Sequence, residues 1–151
     1  MTYTANTREG ASCIALASTS DLVAWQDHGP ILIGAADGYE SRLDGGHPKG
    51  QLESSNLLHR CGRWLLLVQE KRRDSEIRNW IYESEWMDRF DYAAGREFWP
   101  DAYTVEVVAE RSSQALLACT GHIRLGVVDW AQARPTPRFI TDAIELASWR
   151  L

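Results

Sequence analysis

A unit built only of strand-type segments returns along this chain, ending each time in a polar corner that holds a tryptophan. The fullest copy opens with "QLESSNLLHRCGRWLLLVQE" (51–70), two apolar runs folded back over a turn at His59-Arg60-Cys61-Gly62-Arg63. "NWIYESEW" (79–86) supplies its next strand and the Trp86 corner. A second copy runs through the hairpin "YTVEVVAERSSQALLACTG" (103–121), turning at Glu110-Arg111-Ser112-Ser113, into "HIRLGVVDW" (122–130) and the Trp130 corner. Residues 1–30 repeat the latter part: "TYTA", the apolar run "SCIALAST" (12–19), then Asp21-Leu22 and Trp25. Short apolar runs between turn-forming residues read as strands. Glu53 precedes the first hairpin and Glu106 lies in the first arm of the second, 53 residues on. A strand-only unit recurring every ~40–50 residues has the period of a β-propeller blade. The expected fold is all-β, a partial propeller of about three blades.

The single domain 1–151 then divides into the end of one blade (1–34), a second blade (51–92) and a third (102–134). Residues 135–151 stay open, because "RFITDAIELASWRL" sets Phe139, Ile140, Ala143, Ile144 and Ala147 at helical spacing yet also reads as a strand. "AADGYESRLDGGHPKGQ" (35–51) reads as a long loop, of the kind that is often functional. Propellers close with roughly four to eight blades. About three blades leave open strand edges, so the expectation is a fragment that begins inside a blade and can self-associate through those edges.

Charge and cysteine usage narrow the function. Sixteen basic against twenty-one acidic residues give a net charge of -5, and the only basic run is Lys71-Arg72-Arg73. That argues against nucleic-acid binding. No apolar stretch approaches the roughly 20 residues of a membrane span, and "MTYTANTREG" is no signal peptide. The expected location is cytoplasmic. Cys13, Cys61 and Cys119 form no CxxC pair, so neither a metal, a cofactor nor a disulfide framework is expected. Seven tryptophans, each with an N–H that needs a partner when buried, point to a repeated structural role or an aromatic-lined cleft.

"TYTANTREGASCIALASTSDLVAWQDHGPIL" (2–32) resembles the blade text of five-bladed propeller glycoside hydrolases of the family 43 and family 32 type. "LESSNLLHRCGRWLLLVQE" (52–70) is similar to their following blade, in which a glutamate opens the innermost strand and a Gly-Arg-Trp/Tyr turn follows. "YTVEVVAERSSQALLACTGHIRLGVVDW" (103–130) is similar to a later blade. The resemblance implies that Glu53 is the general acid, with the opposing carboxylate carried by an earlier blade that this chain does not show. Ser55 stands where that family often has proline.

Several other side chains are candidates for a carbohydrate substrate. Glu106, between Val105 and Val107, faces away from both along a strand, and is either a channel contact or a half-exposed strand residue. His122 follows a glycine at a strand start, where it is a sugar contact or a histidine satisfied by backbone. His47, in "DGGHPKG", is a weaker edge contact. Trp80 and Trp99 are free to stack on a sugar face, Trp99 from a rim loop in "GREFWPDAY", or are ordinary packing. Trp25, Trp86 and Trp130 read as packing between blades, and Trp64 as core. The expected function is hydrolysis of glycosidic bonds in fructose- or pentose-containing saccharides, incomplete in this chain alone. A non-catalytic carbohydrate-binding or assembly module is the alternative, and a protein-interaction propeller a third reading.

Overall fold

The computed structural model describes residues 1–34, 51–71, 77–100, 102–120 and 124–149. Three antiparallel meander sheets follow one another along the chain. The first has three strands, β1 (Thr2–Asn6), β2 (Ser12–Ser18) and β3 (Gln26–Ile33). The second has four: β4 (Gln51–Arg60), β5 (Arg63–Lys71), β6 (Ile77–Ser84) and β7 (Arg96–Trp99). The third also has four: β8 (Val105–Arg111), β9 (Gln114–Cys119), β10 (Arg124–Asp129) and the two-residue β11 (Arg138–Phe139). A five-residue helix α1 (Ala143–Ala147) follows, so the C-terminal stretch supplies both a strand and a helix.

Each local shape has a legible cause. The β4–β5 turn is only Cys61-Gly62, shorter than the five residues the sequence indicated, because His59 pairs with Trp64 and Arg60 with Arg63. Both turn residues have positive φ, 52° and 76°, as a hairpin turn matching the strand twist requires. "GREFWPDAY" does not form a rim loop: its Arg96–Trp99 segment is β7, the outer strand of the second sheet. Gly126 in β10 is demanded by a close approach, since a Cβ there would lie 2.7 Å from the Trp99 ring and 2.9 Å from the Arg138 carbonyl oxygen.

The apolar run Leu65–Val68 shows how the sheets meet. Successive side chains on a strand point to opposite faces. Leu65 and Leu67 join Ala115, Leu117, Cys119, Val128 and Trp130 of the third sheet in one buried cluster. Leu66 and Val68 join Ile14, Leu16, Ile31 and Leu32 of the first sheet in another. The second sheet is thus buried on both faces, which is why β5 is apolar without alternation. The far face of the third sheet is covered by Trp149, Ile140 and Leu146, which close over Leu116 and Val127.

The recurring tryptophan corners do not share one role. Trp130 is fully buried and stacks on Phe98 with ring centroids 5.9 Å apart, so it packs between the second and third sheets. Trp25 and Trp86 are 47% and 61% exposed, which overturns the expectation that they pack between units. Their corners stand outward: Asp21 folds residues 19–24 into a turn by accepting the Val23 and Ala24 N–H groups, and these hold its carboxyl below the usual range. Trp64 is half-buried against the cluster of the first two sheets rather than deep in it. The indole N–H groups of Trp99, Trp130 and Trp149 are buried with no hydrogen-bond partner among the described residues, so ring packing holds them, with the Arg111 guanidinium 4.2 Å over the Trp149 ring.

Candidate functional site

The first strands of the three sheets lie side by side in the order β1, β4, β8. The Ser55 hydroxyl donates to Thr2 Oγ1 (2.9 Å), and Thr2 Oγ1 donates to the Ser55 carbonyl (3.3 Å). On the other side of β4, Asn56 Nδ2 donates to the Val105 carbonyl of β8 (2.9 Å). The Leu52 N–H donates to Ser12 Oγ (3.0 Å), which anchors the start of β4 to β2. Hydroxyl and amide side chains therefore grip β4 from both neighbours at one end of the sheets.

Glu53 sits at that gripped end, third in β4 and directly opposite Gln69 of β5. Gln69 is in turn opposite Asn79 of β6, so carboxylate, amide and amide form a row across one face of the sheet. This is the face of Leu65 and Leu67, turned toward the third sheet. The row is tied to the segment that leads into β8. The Thr104 hydroxyl donates to Gln69 Oε1 (2.6 Å), and the buried Asn79 amide donates to the Ala102 and Tyr103 carbonyls. One step further along the strands, Gln51 pairs with Lys71 and Lys71 with Ile77. Gln51 Nε2 donates to Glu53 Oε1.

Two recesses open beside this row. The smaller, of about 60 Å³, is lined by Gln51, Glu53, Gln69, Lys71 and Ile77. The larger, of about 290 Å³, lies between β4 and β8 and is lined by Ser54, Ser55, Asn56, Thr104, Glu106 and Val107. A bulge separates them. The ladder passes from Glu53–Gln69 to Asn56–Leu67, which leaves one extra residue in β4, and Ser54 takes a left-handed φ of 49° there. Such a bulge re-aims the side chains next to it, so Glu53 and the Ser54-Ser55 pair serve different recesses.

The sequence candidates distribute as follows. Glu53 is half-buried in the smaller recess. Glu106 is exposed and lines the larger one, so the two glutamates mark neighbouring recesses rather than one. Trp99 is 1% exposed, packed 5.0 Å from the Phe139 ring and against Gly126, which corrects the expectation that it is free to stack on a sugar. Trp80 is half-buried and packs against the cluster between the first two sheets. His122 and His47 lie outside the described residues. Cys13 and Cys119 are buried and Cys61 is exposed, all three as free thiols, and burial pushes the Cys13 thiol up.

Sequence reading missed three polar members of this region. Gln69 and Asn79 look like ordinary strand residues, and only the register shows that they share a face with Glu53. Glu70, fully buried, accepts hydrogen bonds from the Tyr82 (3.3 Å) and Tyr92 hydroxyls on the opposite face of β5. Its signal was a charge closing an apolar run, which sequence alone reads as a strand end. Among the described residues no group of three or more His, Cys, Asp or Glu is placed to hold a metal ion, and no helix is long and apolar enough to cross a membrane. No protein-family model matches the chain, and no curated protein matches it at a significant level.

Proposed function

We propose that the three meander sheets are successive blades of a propeller-type, carbohydrate-active domain, in which Glu53 is the general acid for cleavage of a glycosidic bond. The observation that carries this reading is the position of Glu53: near the start of the central of three side-by-side strands, half-buried, beside two amide side chains, in one recess and next to a second, polar one. Carboxylates and amides are the groups that read sugar hydroxyls, and cleavage needs a carboxylic acid at the leaving oxygen with a second carboxylate across the ring. The resemblance of the blade text to five-bladed glycoside hydrolases supports the same role, and with it a fructose- or pentose-containing substrate.

One observation favours a second reading, a carbohydrate-binding module without catalysis. No second carboxylate lines the Glu53 recess among the described residues; Glu106 belongs to the neighbouring one.

The test is hydrolysis of alkyl pentosides and fructosides, whose poor leaving groups need protonation, by the chain and by Glu53→Gln. A general acid contributes about 10²- to 10⁴-fold, so any turnover should fall at least about 100-fold in the variant. Turnover that survives Glu53→Gln overturns the assignment. Saccharide binding without turnover selects the binding module, and the absence of both overturns the carbohydrate reading.

A further inference from the structure

We propose that two copies of this chain pair through the free edge of β1, antiparallel about a two-fold axis at Thr4, to make one continuous six-stranded sheet. The inference rests on strand pairing alone and is independent of the role proposed for Glu53.

The ladder between β1 and β2 shows which backbone groups are free. The Met1 ammonium donates to the Ala17 carbonyl (2.7 Å), and the Ala17 N–H donates to the Met1 carbonyl (2.9 Å). Beyond the other end of β1, the Thr7 N–H donates to the Ala11 carbonyl (2.8 Å). Hydrogen-bonding positions alternate along an antiparallel strand, so Tyr3 and Ala5 also turn their backbone groups to β2. Thr2, Thr4 and Asn6 turn theirs the other way, where no strand, turn or loop among the described residues takes them up. β4 does not cover this edge. It bonds to Thr2 of β1 and to Ser12 of β2, so it lies across the face of both strands. Thr4 and Asn6 are exposed.

The other sheet edges among the described residues are guarded, and this one is not. Proteins blunt an open edge with charge, proline, a bulge or short length. β3 has Asp27, Pro30 and two register shifts. β4 and β8 each carry a bulge and a glutamate. β7 is four residues long with Arg96 and Glu97, and β11 is two residues long with Arg138. β1, "TYTAN", has no charged side chain, no proline and no register shift. Its five residues are also self-complementary. With Thr4 opposite the partner's Thr4, Thr2 falls opposite the partner's Asn6, and all three free positions become hydrogen-bonded pairs together. Such a contact uses the same patch twice and closes at two copies, with main-chain hydrogen bonds supplying the affinity.

Sedimentation equilibrium of the full chain tests this and should give a dimer. Thr4→Pro removes the N–H that faces the partner and leaves the ladder to β2 intact. It should weaken association at least about tenfold, since two intermolecular hydrogen bonds are lost. The axis itself gives a sharper test. Thr4→Lys and Thr4→Glu each set like charges opposite one another and should each weaken self-association about fivefold, whereas a mixture of the two should form a mixed dimer tighter than either alone. Thr4 is exposed, so all three variants should fold, which thermal unfolding checks. A dissociation constant weaker than about 1 mM, an assembly other than a dimer, or a dimer that Thr4→Pro leaves equally tight overturns the inference. So does a mixture in which the Lys and Glu variants show no preference for each other, because Thr4 is then not on the axis.

Discussion

The strands β4 and β8 are built alike and housed differently. Each begins its sheet, each carries a bulge, and each presents a glutamate within its first three residues. Yet Glu53 is half-buried and Glu106 is exposed. The difference lies in the neighbours. β4 has β1 on one side and β8 on the other, with hydroxyl and amide contacts to both. β8 makes its contact with β4, while Glu106, Val108 and Glu110 stay exposed. A strand's own residues select its pleat and its bulge; the sheets that flank it decide whether its carboxylate meets water or a recess. Equivalent positions in a repeat are therefore not equivalent sites.

Core truncations should break this comparison with the largest effect. Leu52 of β4 is fully buried between the first two sheets, whereas Val107 of β8 is only partly buried. Leu52→Ala should cost about 3 kcal/mol, the usual range for a buried leucine being about 2–5. Val107→Ala should cost about 1 kcal/mol or less, because less apolar surface is lost. Urea denaturation midpoints at unchanged slope measure both. Equal losses would mean that β4 is no better housed than β8.

A smaller effect tests the polar grip itself. The Asn79 amide supplies the Ala102 and Tyr103 carbonyls, and Thr104, the next residue, holds Gln69. Asn79→Ala takes this donor from the buried Ala102 carbonyl and the part-buried Tyr103 carbonyl, which costs about 2 kcal/mol. It should also change the amide resonances of Gln69 and Glu53, because the segment entering β8 loses its tether. The opposite end of the same sheets makes the control. There Arg60 pairs with Glu110, and Arg63 and Arg96 share Glu83. Arg60→Ala should cost under about 1 kcal/mol, the worth of a largely solvated pair, and leave Glu53 unmoved.

How much of this was legible in the residues depends on what each signal encodes. The run Leu65–Val68 announces a strand buried on both faces, because alternation disappears only when both faces are covered. The all-β class follows from such runs and their turns. The corner tryptophans were legible as a repeat but not as a role: Trp130 is buried and Trp86 is not, although both follow the third strand of a sheet. A corner is buried only if another element covers it, and no local residue states that. Trp99 was misread for the same reason, since its burial depends on Gly126 and Phe139, far along the chain. Glu53 was legible as a candidate through the repeat. Its partners Gln69 and Asn79 were not, because cross-strand register decides them.

The smallest expected effect is also the sharpest, because it predicts a difference of sign. Both first strands bulge, but by different backbone routes. In β4 the bulge places Ser54 at φ 49°, the left-handed region in which glycine has no Cβ penalty. In β8 the bulge falls between Val107 and Ala109, and Val108 keeps an ordinary negative φ. Relief of left-handed strain is worth about 1–2 kcal/mol, and the added freedom of an unfolded glycine removes about 0.5–1 of it. Ser54→Gly should therefore stabilise the chain by about 0.5 kcal/mol. Val108→Gly gains no such relief and should destabilise it by about 0.5–1 kcal/mol. Destabilisation in both would show that Ser54 is not strained, and the bulge would lose its part in aiming Glu53. Opposite signs would locate the strain at the one residue that separates the two recesses, beside the carboxylate proposed to act as the acid.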